Sequence, residues 1–406
     1  MTCKRNRFTV VIPTKNRSTT LYSSLKTVVD QNFDNLQILV SDNFSTDDTE
    51  SVVKSFRDPR VHYIRTEKKL GMSGNWEFAL EHVNGDYVFF LGDDDGLMPD
   101  ACENICSLLN QFNMDCVTWN KPNYNWPDAP VFPGYLGVEL GQDVCLYRGP
   151  LMRSLVAMAL VGYTKLPSIY NSFVSMSAVR SLKGKSPNGR FFNSVTPDVY
   201  SGIILAGHFE KYLYSFRPFS VNGRSGRSNG LSIYKNDSSY RDFFHENEIF
   251  TSVDIPVLPG SINSAVAEAY LQAYALNLTN RFPLLKRRYL KAIIRDLLGC
   301  EISLRHAGLA ELAQRFDNAL VKNVIHLESS KQKKEIEDGE SRTFALSPKG
   351  YYERLDIMDS RPLGIENILQ CVEFLRIIFG DYKIPRVIRR YPILRAIARR
   401  LFKLSR

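Results

Sequence analysis

An apolar run over residues 87–91 stops at Gly92 and delivers three consecutive carboxylates, Asp93, Asp94 and Asp95. A buried strand that ends in clustered negative charge needs counter-cations at that end. Like charges a few ångströms apart repel strongly in a partly dry cleft. A hard divalent metal, Mn²⁺ or Mg²⁺, suits such oxygen donors.

The first third of the chain alternates strand and helix signals as a doubly wound α/β sheet does. Residues 8–12, 36–40, 61–65 and 87–91 read as apolar strands; 18–29, 46–56 and 75–83 carry helical spacing. Three of the strands finish in polar clusters, and in open α/β sheets the ligand crevice lies beyond the carboxyl ends of the strands. The first cluster is Pro13, Thr14, Lys15, Asn16 and Arg17, whose amides and cations can face an anion. The second opens with Asp42 and Asn43, which can accept from a base or ribose, and continues to Ser45 and Thr46, either ligand contacts or caps of the next helix. Gly71 to Trp76 looks like a glycine loop, but two glycines three apart are weak evidence for phosphate binding.

Length and charge bound the rest. A chain of 406 residues exceeds the usual single core and is expected to hold a catalytic domain plus a second unit. The segment 382–406 holds nine cations and no acid, and so accounts for the whole formal net charge of +9. The remainder is neutral, and no nucleic-acid partner is expected. Seven cysteines scattered without metal-ligand spacing read as free thiols in a reducing cytosol. No apolar run approaches the ~18 residues of a spanning helix. Neither a P-loop nor a G-x-G-x-x-G after the first strand is present. Trp119, Tyr124, Trp126 and Tyr135 read either as a platform for a sugar ring or as core and loop anchors.

Beyond about residue 232 the character becomes helical, with apolar periodicity over 266–278, 284–298, 302–327 and 363–379 and a charged linker over 329–342. The expected organisation is a domain over 1–231 in two halves (1–100 and 101–231), which the family resemblance given below makes a nucleotide-binding and an acceptor half, then an α-helical region (232–381) and a basic amphipathic tail (382–406). In the tail, Leu394, Ile397, Leu401 and Leu404 share one face after Pro392, with Arg395, Arg399, Arg400 and Lys403 flanking it. The tail reads as a peripheral anchor on an anionic membrane, at about 1 kcal/mol per surface cation, or as a helix packed on the body.

The runs 10–17, 40–47 and 85–95, taken in order and spacing, resemble the family 2 glycosyltransferases, inverting enzymes with a GT-A fold. The resemblance implies a Rossmann-like mixed sheet with helices on both faces and a donor site at Pro13, Thr14, Asn16, Arg17, Asp42, Asn43, Asn75, Asp93 and Asp94. It also makes Asp95, with Asp93, the metal ligand of a D-x-D element. Where the family usually has two acids after the second strand, this chain has Asp42 and Asn43, followed by Phe44.

An inverting transfer also needs a general base for the acceptor hydroxyl. The candidate is Asp198, which precedes a helical stretch; its alternative is an acid favoured by a helix N-terminus. Arg224 and Arg227 lie in a glycine-rich cationic loop, either a clamp on the diphosphate or a solvated loop. The expectation is therefore a metal-dependent transferase that takes a sugar from a UDP-linked donor to a saccharide or lipid-linked acceptor. It would work in cell-surface polysaccharide synthesis at the cytoplasmic face of the membrane. The alternative is an inactive transferase fold serving as a carbohydrate-binding or scaffold protein.

Overall fold

The computed structural model describes residues 6–130, 132–228, 257–258, 260–279, 285–298, 300, 305, 308–310, 312 and 355–380. The strands are β1 (Phe8–Thr14), β2 (Leu36–Asp42), β3 (Val61–Arg65), β4 (Tyr87–Phe90), β5 (Gly96–Leu97), β6 (Cys116–Trp119), β7 (Asn123–Asn125), β8 (Tyr135–Glu139), β9 (Val144–Arg148), β10 (Ser172–Ser175), β11 (Lys211–Ser215), β12 (Ser220–Arg224) and β13 (Leu355–Asp359). An eight-stranded mixed sheet runs β3-β2-β1-β4-β10-β6-β11-β9, and a five-stranded sheet runs β13-β8-β7-β12-β5. β1 pairs in parallel with both β2 and β4. The strand order therefore reverses between β1 and β4, which opens a crevice at their carboxyl ends.

The apolar strands supply both faces because successive side chains point to opposite sides. From β1, Val11 enters one core while Phe8, Val10 and Ile12 enter the other; from β4, Val88 and Phe90 oppose Phe89. Helices α1 (Ser18–Val29), α2 (Thr49–Ser55) and α4 (Ala101–Phe112) cover one face. Helices α3 (Met72–Leu80), α5 (Gly149–Ala157), α6 (Met176–Lys185) and α7 (Pro197–His208) cover the other. This is the α/β fold with helices on both faces that the sequence predicts. The six described cysteines are free and buried. Trp119 and Tyr124 are fully buried, so these two rings are core anchors rather than a sugar platform.

The expected α-helical region over 232–381 contains helices α8 (Ile262–Ala275), α9 (Leu285–Leu298) and α10 (Ile368–Phe379), but also the strand β13. β13 pairs antiparallel with β8, from Leu355 opposite Glu139 to Asp359 opposite Tyr135. A five-residue strand far along the chain has no local partner, so its pairing is decided by the sheet edge that receives it. Helix α10 lies against α1 and β5. Its last carbonyls are capped by Arg217, which donates to Phe379 O at 2.9 Å and Gly380 O at 2.6 Å. The tail 382–406, the linker 329–342 and most of the predicted helix 302–327 lie outside the described residues. Among the described residues no helix is long and apolar enough to cross a membrane.

Helix α8 packs along α7 and brings Glu268 under the segment that leads into α7. Glu268 is buried and accepts from the Ser194 hydroxyl at 2.6 Å. Burial pushes its carboxyl up to about 7, against the pull of its hydrogen bonds. Because the folded-state value lies above the ordinary one, stability falls as pH rises from the unfolded value through about 7. Glu268→Gln, which keeps an acceptor for Ser194, is expected to flatten this slope and gain roughly 1–3 kcal/mol over the native chain at pH 8. Melting curves at pH 5.5 and pH 8 test it; equal slopes for both proteins would contradict it.

Candidate active site

The crevice at the β1/β4 reversal gathers the ends of several elements. β1 delivers Thr14 beside Asp42 of β2, its register partner. β4 leads into Asp93, Asp94 and Asp95, which are 4%, 3% and 0% exposed. The Ser24 hydroxyl of α1 donates to Gly92 O at 2.8 Å and fixes where the acidic triplet starts.

Each acid of the triplet has protein donors of its own. Arg17 donates to Asp93 Oδ1 at 2.8 Å and lies 3.8 Å from Asp94. The Ser225 amide and hydroxyl donate to Asp94 Oδ2 at 3.2 and 2.7 Å. The Gly223 amide donates to Asp95 Oδ1 at 2.7 Å, and Lys121 Nζ stands 3.8 Å from Asp95 Oδ2. Burial raises the Asp93 carboxyl to about 6, with Arg17 opposing and Asp94 adding to the rise. Asp95 is also raised by burial, against the Lys121 charge. Arg17, expected to face an anion, instead neutralises Asp93.

The other expected donor-side residues hold the loops together. Asp42 accepts from the Tyr63 hydroxyl at 2.6 Å and the Ser45 amide at 2.9 Å. Asn43 pairs with both backbone groups of Leu70, donating to its carbonyl at 2.7 Å and accepting from its amide at 2.8 Å. Asn75 exchanges hydrogen bonds with Ser41 on β2, and the Gly71 to Gly74 stretch starts α3 rather than forming a separate glycine loop. Asn16, at φ 53°, accepts from the Thr46 amide at 2.7 Å, while the Ser45 hydroxyl accepts from the Asn16 amide at 2.8 Å. Ser45 and Thr46 thus tie the β1 and β2 loops, and α2 begins only at Thr49. Pro13, the next-to-last residue of β1, is partly buried. Arg227 donates to Asn16 O at 3.1 Å, and Arg17 donates to Arg227 O, so the loop after β12 is clasped to the loop after β1. Arg224 closes β12 and comes near Lys121.

Across the crevice Asp198 sits in the first turn of α7. Its carbonyl accepts from Ser168 and Ser201 hydroxyls at 2.7 and 2.8 Å. Burial raises its carboxyl; the amides of its own helix start and the Lys121 charge act against the rise.

Sequence reasoning missed Lys121, Tyr170, Gly223 and Ser225. Lys121 follows the carboxyl end of β6, so reading 116–119 as a strand would have exposed it by the same strand-end logic. Ser225 had no local signal. Gly223 lies so close to the triplet that a Cβ there would meet Asp94 O at 1.7 Å. Trp126, a candidate platform, donates from Nε1 to the same carbonyl at 3.0 Å.

The donor set is three hard-oxygen carboxylates in a row, with the carboxyls of Asp93 and Asp95 both lifted by burial and by the Asp94 charge. That chemistry fits a divalent cation. Among the described residues no group of three metal-ligating side chains converges on one point. Gly223→Ala is expected to cost about 3 kcal/mol in denaturant unfolding, because the clash falls on backbone that cannot move aside. A change below about 0.5 kcal/mol would show that the β12 contact is loose.

Residues 9–152 match the family model described as glycosyl transferase family 2. The GalNAc(5)-diNAcBac-PP-undecaprenol beta-1,3-glucosyltransferase of Campylobacter jejuni is 36% identical over 108 residues, covering 26% of this chain and 35% of that protein. The UDP-Glc:alpha-D-GlcNAc-diphosphoundecaprenol beta-1,3-glucosyltransferase WfgD of Escherichia coli is 28% identical over 111 residues, covering 27% of this chain and 44% of that protein. The chain thus spans less than half the length of these curated relatives. The crystal structure of S. aureus TarS 1–349 in complex with UDP-GlcNAc aligns with a TM-score of 0.42 at 14% identity, covering 87% of this chain and 97% of that one. The segment matched by the family model, residues 9–152, runs from β1 through β9 into α5 and carries the acidic triplet Asp93 to Asp95.

Proposed function

We propose that the chain is an inverting glycosyltransferase that moves a sugar from a nucleoside-diphosphate sugar, UDP-linked, to a lipid-linked saccharide in cell-surface polysaccharide synthesis. The observation that carries this reading is the buried triplet Asp93 to Asp95 at the β1/β4 reversal with Asp198 across the same crevice. The donor class and acceptor class are supported by the two curated relatives' names, one of which specifies UDP-Glc and both of which specify undecaprenol-linked saccharides.

In this reading the loops after β1 and β2, with Pro13, Thr14, Asn16, Arg17, Asp42, Asn43 and Asn75, form the donor-side wall. Asp94 and the clasp of Arg224 and Arg227 border the diphosphate. Asp95 and Asp93 would hold Mn²⁺ or Mg²⁺, which supplies positive charge to the nucleoside diphosphate as it leaves. Asp198, pinned through its carbonyl, takes the proton of the acceptor hydroxyl. The hydroxyl oxygen bonds to the anomeric carbon on the face opposite the leaving phosphate oxygen, whose bond to that carbon breaks. The crevice excludes water through the buried positions of the acids, which protects the donor from hydrolysis.

Asp198→Asn is expected to lower kcat by about 10²- to 10⁴-fold while UDP-sugar still raises the melting temperature. Asp95→Ala is expected to abolish both turnover and the metal-dependent part of that thermal shift. A screen of UDP-, GDP-, CDP- and dTDP-sugars with and without Mn²⁺ provides both readouts. If no donor is bound or turned over by the unaltered chain, the reading fails.

The basic tail would keep the enzyme on the anionic cytoplasmic leaflet, where a lipid-linked acceptor is found. Removing 382–406 is expected to shift the protein from vesicle-bound to free in flotation on anionic liposomes, with donor hydrolysis retained. Unchanged flotation would remove the tail from this account.

A further inference from the structure

Among the described residues, Lys121 is a cation beside the acidic triplet that the sequence analysis did not single out. It leaves the carboxyl end of β6 and is mostly buried, with a side-chain exposure of 14%. Its ammonium lies 3.5 Å from the centroid of the Tyr170 ring and donates to Tyr170 O at 3.2 Å. On one side it faces Asp95 Oδ2 at 3.8 Å. On the other, the chain that holds it is bonded to Asp198: the Ser168 hydroxyl accepts from the Tyr170 amide at 3.2 Å and donates to Asp198 O at 2.7 Å. The Ile169 carbonyl between them accepts from the Phe90 amide of β4 at 2.9 Å, which locks this loop to the strand that delivers the triplet.

We propose that Lys121 is a positioning residue for the transfer: a resident counter-ion to Asp95, seated on the Tyr170 ring and carbonyl of the loop that Ser168 bonds to the backbone of Asp198. It sets how strongly the triplet binds a divalent cation and, through its seat on Tyr170, fixes the loop that Ser168 ties to the start of the helix carrying Asp198. The inference rests on the roles given above to Asp95 and Asp198. A cation held by an aromatic face and a carbonyl in a desolvated pocket is worth far more than one in water. Its geometry relative to both acids is imposed by β4, β6 and α7 rather than by its own flexible stem.

The test uses the full chain with Lys121→Met, Lys121→Gln and Lys121→Arg, each first shown to melt cooperatively. Mn²⁺ is titrated calorimetrically in the presence of UDP, and kcat and donor KM are measured with UDP-sugar. Both neutral variants are expected to bind Mn²⁺ about tenfold more tightly, because a positive charge beside Asp95 is gone. Their kcat is expected to fall at least about tenfold at unchanged donor KM, while Lys121→Arg keeps the native Mn²⁺ affinity within about twofold. Lys121→Gln decides the question if Lys121→Met does not fold. Native Mn²⁺ affinity in both neutral variants overturns the proposal while leaving the metal role of Asp95 standing. Mn²⁺ binding that appears only in the neutral variants supports the counter-ion and speaks against a metal in the native chain. Absence of Mn²⁺ binding in every protein overturns both.

Discussion

Three adjacent carboxylates shut away from water are the constraint around which the rest of this molecule is arranged. Burial alone drives such groups toward protonation, and mutual repulsion adds to it. The protein answers with donors drawn from distant stretches: Arg17 for Asp93, Ser225 for Asp94, and Gly223 with Lys121 for Asp95. Removing one partner of a buried charged pair leaves an uncompensated charge, which is far more costly than the pair itself is stabilising. The triplet therefore organises its surroundings as much as it serves chemistry, and a substitution among its donors reports on both.

The segments near the C-terminus enter through this same constraint. β12 carries Gly223 and is held between β5 and β7, and β5 is covered by α10. Tyr124 on β7 donates to Ile365 O at 3.1 Å, and Arg217 caps α10. Residues 355–380 therefore brace the strand that closes over the acids. On the opposite face α8 bears on α7, where Glu268 and Ser194 meet just ahead of Asp198. Both halves of the crevice are thus supported by chain that is remote in sequence.

The strands and helices of the first hundred residues were legible because each is announced locally, by an apolar run or by helical spacing broken by Pro, Gly or an acid. Pro13, Asp42 and the triplet were legible for the same reason, since strand ends in a doubly wound sheet point to one edge. The partners of those residues were not. Asn43 and Asn75 were read as ligand contacts, yet their amides are occupied by Leu70 and Ser41. An Asn that binds a ligand and an Asn that braces a loop look alike in one dimension, because the difference lies in which groups come within about 3 Å. Trp119 and Tyr124 are the apolar counterpart: aromatic content was plain, but whether the rings face solvent or core was not.

By itself the sequence determined the order of strands and helices, the crevice edge where polar clusters gather, and the acidic triplet, since period, turn residues and local charge are short-range properties. Tertiary structure alone decided which cation neutralises which acid, that β13 joins a sheet edge rather than a helical appendage, and that Lys121 stands beside Asp95 on the loop bonded to the backbone of Asp198. Those outcomes depend on distances between segments separated by tens to hundreds of residues, and such distances follow from how the two cores pack rather than from any local pattern.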